Sequence, residues 1–128
     1  MPVLFGPNDI VHTYSRAQAI ADGVLRDVTP MAREAGIRVP VALTAAAWAL
    51  CVALTPAAEG LGNDENGRLW DVLWLLALAT RDSDAAELLF DVFVVTDSAT
   101  PTRVPLRAMI GAGDDPNPVL TVMLPDEH

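Results

Sequence analysis

The chain has 128 residues, 52% of them apolar and 5% aromatic, and its 8 basic and 17 acidic side chains leave a net charge of −9 at pH 7. That composition describes one globular domain and excludes collagen-like and disordered chains. Every basic residue is an arginine, which removes Schiff-base chemistry, a P-loop lysine and a lysine general base.

Ser15 and Gln18 make an S-x-x-Q capping box, and Ala17, Ile20, Ala21, Val24 and Leu25 recur along one helical face. They predict a first helix that Gly23 weakens at its end. Thr29-Pro30 supplies an N-cap and a proline at the first helical position, with Gly36 as the stop, for a short helix over 31–35. Val39-Pro40-Val41 reads as an extended connector, because proline pushes its predecessor away from helix. Thr44 caps a third helix running to about Leu54, whose Trp48, Leu50, Cys51 and Val52 leave no polar stripe and so predict burial. Residues 39–58 carry no charge, but Pro40 and Pro56 bracket only about 15 residues, short of the ~18–20 a membrane span needs.

Residues 57–67, rich in Gly, Asn, Asp and Glu, read as a solvated loop. From Arg68 to Thr80 a fourth helix places Leu69, Leu73, Leu76 and Ala77 on one face, with Trp70 and Trp74 one turn apart beside it. The period then changes to two. Leu88, Phe90, Val92 and Val94 alternate with Leu89, Asp91, Phe93 and Val95 in a strand buried on both faces. Residues 103–110 form a half-exposed strand whose Pro105 argues for an edge position. Residues 111–118 turn, and 119–124 close as a third strand. Helices first and strands afterwards predict a single α+β domain, in which N-terminal helices pack on one face of a C-terminal three-stranded antiparallel meander. Asp91, Arg103 and Arg107 then decorate the opposite, open face.

Cys51 is the only cysteine, so no disulfide forms within the chain and a reducing, cytoplasmic setting fits. Its apolar neighbours predict an inert buried thiol. His12-Thr13-Tyr14-Ser15 puts a base beside hydroxyls, but Ser15 is committed as a cap and nothing nearby supplies an oxyanion hole. Aligned as a calcium loop, 62–73 lacks two required oxygen ligands. Gly111-Ala112-Gly113 runs directly into Asp114-Asp115 with no helix behind it, which is an acidic turn and not a phosphate loop. No metal or cofactor is expected. Acids in ones and twos, interrupted by arginines, do not match the regular charge spacing of a nucleic-acid mimic.

Four segments, 14–23, 32–36 (Ala32-Arg33-Glu34-Ala35-Gly36), 67–73 (Gly67-Arg68-Leu69-Trp70-Asp71-Val72-Leu73) and 119–127, are similar to a small acidic domain family carried on bacterial plasmids, integrative elements and phages. That family has no assigned activity, so the resemblance transfers no site residue. It implies a context in which small acidic proteins block host defence. The expectation is a non-enzymatic counter-defence inhibitor, anti-CRISPR or anti-restriction, that binds a basic surface of a host protein such as a nuclease. Its contacts are expected at Asp91, Arg103 and Arg107 on the sheet and at Asp114 and Asp115 in the turn. Direct binding to nucleic acid or membrane is disfavoured by charge, while exposed apolar surface could support a homodimer. The alternatives are a small hydrolase using His12 or a carboxylate pair, and an immunity protein or antitoxin.

Overall fold

The computed structural model describes residues 14–81, 83–96 and 99–127. Five strands, β1 (Leu25–Asp27), β2 (Val41–Thr44), β3 (Glu87–Val94), β4 (Thr102–Ala112) and β5 (Pro118–Met123), form one sheet in the order β1-β2-β5-β4-β3. The expected meander is present as β3-β4-β5, antiparallel throughout. It is not the whole sheet. β2 pairs parallel with β5, Val41 opposite Leu120, and β1 pairs antiparallel with β2. The expectation of a three-stranded antiparallel meander under an N-terminal helical part is therefore corrected to a five-stranded mixed sheet with helices threaded between the strands.

The physical reason for the miss is local. Val41, Ala42 and Leu43 are all fully buried, so β2 shows no alternation, and a four-residue strand is too short to announce itself by period. Leu25 fits a helical apolar face as well as a strand. Gly23 decides between them: at φ 79° it turns the chain, helix α1 (Arg16–Ala21) stops, and the next residues enter β1.

The remaining helices are α2 (Thr29–Glu34), α3 (Ala45–Cys51), α4 (Pro56–Gly60) and α5 (Glu65–Arg81). The caps at Ser15 and Thr44 form as expected, Ser15 Oγ accepting from Gln18 N at 3.0 Å and Thr44 Oγ1 from Ala47 N at 3.1 Å. Thr29 does not cap. It lies inside α2, and its hydroxyl donates to Asp27 Oδ1 at 2.6 Å and accepts from Val41 N at 3.2 Å, tying the helix entry to β1 and β2. The expected loop at 57–67 contains α4, capped by Thr55 Oγ1 on Ala58 N at 3.1 Å. Helix α5 starts three residues early because Asp64 Oδ1 accepts from Gly67 N at 2.7 Å.

The core lies between one sheet face and helices α2, α3 and α5. Leu69, Val72, Leu73 and Leu76 of α5 meet Phe90, Val92, Val94, Val104, Leu106, Leu120 and Val122, with Ala32, Ala47 and Cys51 closing the sides. None of the helices among the described residues is long and apolar enough to cross a membrane.

Pro105 sits in β4, which is interior to the sheet, so the expected edge position is wrong. The ladder explains how it is tolerated. Ile110 N donates to Ala86 O at 2.8 Å, so in the antiparallel β3/β4 pair the even-numbered residues bond to each other and the odd-numbered residues of β4 turn toward β5. Pro105 therefore points its missing donor at a stretch where β5 has already ended at Met123.

Candidate functional site

Residues of β3 and β4 alternate between the core and the second sheet face. That face receives Glu87, Leu89, Asp91 and Phe93 from β3 and Arg103, Pro105, Arg107 and Met109 from β4. Leu89 is 67% exposed and Phe93 62%. Large apolar side chains this open are uncommon in an outward strand row, and here they alternate with two carboxylates.

Asp91, Arg103 and Arg107 occupy this face as expected. The arginines are not free cations. Arg103 Nη1 bonds Asp91 Oδ2 at 3.2 Å with both side chains well exposed, and Arg107 Nη1 lies 3.7 Å from Glu87 Oε2. Arg107 also donates from Nη2 to Met123 Sδ and to the Glu127 carbonyl, so its guanidinium clamps the C-terminal residues over β5. The exposed Asp91–Arg103 pair contributes roughly 0.2–1 kcal/mol, whereas the Arg107 side chain of the second pair is mostly buried. The effect of the two pairs is to neutralise the β3/β4 face locally and leave its apolar residues as the dominant surface.

Asp114 and Asp115 are not brought to this face. Asp114 Oδ1 accepts from Arg16 N at 2.6 Å and Oδ2 from Ala17 N at 3.1 Å, so the carboxylate closes the start of α1 across the sheet end. Asp115 Oδ1 accepts from Asn117 N at 2.9 Å inside its own turn. Gly113, between them and β4, has no room for a side chain, since a Cβ there would lie 2.9 Å from Val119. The Arg16 guanidinium completes the clasp by donating to Thr121 Oγ1 at 2.7 Å and Leu120 O at 3.0 Å. Burial lowers its pKa, while Asp27 and Asp114 push it back up.

A cavity of about 550 Å³ lies between α1, β1, β2 and the C-terminal residues. Its carboxylates are engaged. Asp22 Oδ2 accepts from Tyr14 Oη at 3.0 Å, and Glu127 Oε1 accepts from Thr44 Oγ1 at 2.7 Å and Leu124 N at 2.8 Å. Among the described residues no group of three His, Cys, Asp or Glu side chains could hold a metal ion. His12, the base of the hydrolase alternative, lies outside the described residues. Burial pushes the Cys51 thiol up to about 11, against a smaller opposing pull from Arg68, so it stays protonated and unreactive at neutral pH.

Sequence reasoning missed Arg68, which is only 8% exposed. Its Nε donates to Cys51 O at 3.1 Å and its Nη1 to Val95 O at 2.8 Å, joining α5 to α3 and to the end of β3. Beside it a cleft of about 200 Å³ runs between α5 and the edge of β3, lined by Asp71, Val72, Val92 and Val94 among others. The one available signal was an arginine on the apolar flank of a helix, where a long stem can be buried if the head finds carbonyls.

These features define a mixed-sheet α+β domain whose most exposed large apolar side chains among the described residues, Leu89 and Phe93, lie on the outer row of β3. A family model described as a family of unknown function (DUF6573) matches residues 1–128, and the chain belongs to that family. Comparisons with curated proteins and with solved structures give no match.

Proposed function

We propose that the chain is a non-enzymatic protein-binding module whose contact surface is the outer face of β3 and β4. The observation that carries this reading is the exposure of Leu89 and Phe93 in one strand row, flanked by charges paired with each other. Apolar anchors ringed by polar groups are the usual anatomy of a docking patch. A net charge of −9 supports a cationic partner, because the field of the whole molecule attracts it before contact is made. The narrower form of the proposal is a counter-defence inhibitor that occupies a basic surface of a host nuclease. Support for that form comes from the charge and from the resemblance of the four sequence segments to a mobile-element family.

The reading is tested by capture from host extract with the wild-type chain and with a Leu89→Asp/Phe93→Asp double variant. The same protein should be retained by the wild type, lost by the variant, and progressively released as salt rises. Equal retention by the variant, with an unchanged melting temperature, refutes the assignment of the surface.

A further inference from the structure

Among the described residues β3 is the terminal strand of the sheet and pairs only with β4. Since its even-numbered residues bond to β4, the N–H and C=O groups of Glu87, Leu89, Asp91 and Phe93 point away from the sheet. Among the described residues nothing bonds to these outward groups. The next one along, the Val95 carbonyl, is already taken by Arg68 Nη1 at 2.8 Å. The free edge therefore runs from Glu87 to Phe93, six steps of ~3.3 Å or roughly 20 Å, and α5 overhangs its far end across the cleft of about 200 Å³. Among the described residues no covering loop, edge proline or bulge guards this edge, and Glu87 and Asp91 are the charges it carries beside the exposed Leu89 and Phe93.

From this edge, resting on the docking reading above, we infer that the partner is bound by strand addition: an extended cationic segment pairs with β3 and becomes the sixth strand. The side-chain row specifies it. On the outer face Glu87, Leu89, Asp91 and Phe93 repeat acid, apolar, acid, apolar, and directly opposed cross-strand pairs favour opposite charges and apolar contacts. Asp91 and Glu87 each use one carboxylate oxygen on an arginine of β4, leaving the other for an incoming cation. The complementary strand carries Arg or Lys alternating with a large apolar residue at every second position. Its intervening side chains face the cleft of about 200 Å³ lined by Asp71, Val72, Val92 and Val94, which has room for small groups. Backbone pairing gives affinity and alternate side chains give selectivity.

A second copy of this chain is a poorer occupant. An antiparallel β3–β3 register that matches Leu89 with Phe93 sets Asp91 against Asp91, and a shift of two residues faces Leu89 with Asp91 and Phe93 with Glu87. Neither supplies a cation, and each copy carries −9.

The test uses the full chain and a labelled synthetic peptide, RTLVRTIV, followed by fluorescence anisotropy. Laid antiparallel to β3, its third, fifth and seventh residues, a leucine, an arginine and an isoleucine, oppose Phe93, Asp91 and Leu89. Saturable binding is expected. N-methylation of the third, fifth and seventh amides, which face β3, should weaken it roughly tenfold or more, because each backbone hydrogen bond is worth about a factor of 5. Methylation of the fourth and sixth amides, which face away, should leave it within about threefold, and the acidic peptide ETLVETIV should not bind. These comparisons alter only the peptide, so folding of the protein does not enter. Absence of binding, equal losses from the two methylation patterns, or a chain that sediments as a β3-paired dimer and excludes the peptide would each overturn strand addition. If these arms fail while the Leu89→Asp/Phe93→Asp variant still loses its captured partner, the surface stands and the mode is wrong. If that variant also keeps its partner, the docking reading itself falls.

Discussion

Replacing Asp114 by alanine should cost stability, because this carboxylate is a structural cap. Ser15 Oγ satisfies the Gln18 amide of α1 and Gln18 Oε1 the Ser15 amide, while Asp114 satisfies the Arg16 and Ala17 amides, so all four donors that a helix start leaves unpaired are covered. Loss of a carboxylate cap costs about 0.5–2 kcal/mol. Two bonds to one charged group, reinforced by the helix dipole, place Asp114 in the upper half of that range, at about 1.5 kcal/mol. With an unfolding entropy of ~2.1 cal/mol/K per residue, or roughly 0.27 kcal/mol/K for the chain, the melting temperature should fall by about 5–6 °C. Asp114→Asn, which keeps one acceptor but no charge, should fall by about half as much. Asp115→Ala removes one bond within an exposed turn and should fall by no more than about 2 °C. Thermal unfolding followed by far-UV circular dichroism ranks the three. Equal melting of Asp114→Ala and wild type, or a larger loss from Asp115→Ala, would refute the cap and return the turn to the role of a free acidic patch.

Arg68→Leu keeps the stem and removes donors from two carbonyls, and urea unfolding should report a loss of about 2–3 kcal/mol. Because the Cys51 thiol is held near 11 against an ordinary value of 9.0, the folded state retains a proton that the unfolded chain gives up first. Stability should therefore be unaffected below pH 9 and fall between pH 9 and 11, and Cys51→Ala should abolish that part of the slope. The same thiol should react with an aromatic disulfide reagent at pH 8 only after urea unfolds the chain. Leu89→Ser/Phe93→Ser should change stability by less than about 0.5 kcal/mol, since both side chains face solvent, and a core-sized loss in that variant would show that the row is covered.

The parts of the fold legible in the sequence were those with long periods or strong caps. The capping box at Ser15, the cap at Thr44, the leucine face of α5 and the alternation from Glu87 to Val94 each follow from local chemistry. The parallel join of β2 to β5 depends on contacts between residues some 80 positions apart, and the uniformly buried Val41-Ala42-Leu43 carries no periodic signature of it. Among the site residues, Asp91, Arg103 and Arg107 were placed on the right face because strand alternation fixes direction. Their mutual neutralisation was invisible, since cross-strand register decides which acid meets which arginine. The bonds that hold Asp114 are illegible for the same reason: its partners, Arg16 and Ala17, lie almost 100 residues away. Leu89 and Phe93 read as core because β3 was expected to be covered on both sides.

The outward edge of β3 can be read directly by residue-resolved amide hydrogen exchange. In the free chain, the amides of Leu89, Asp91 and Phe93 should exchange rapidly while those of Leu88, Phe90 and Val92, bonded to β4, are slow, and saturating RTLVRTIV should slow the first three alone. Uniform protection along 87–93 in the free chain, or no change at Leu89, Asp91 and Phe93 when peptide is bound, would contradict a free and strand-accepting edge.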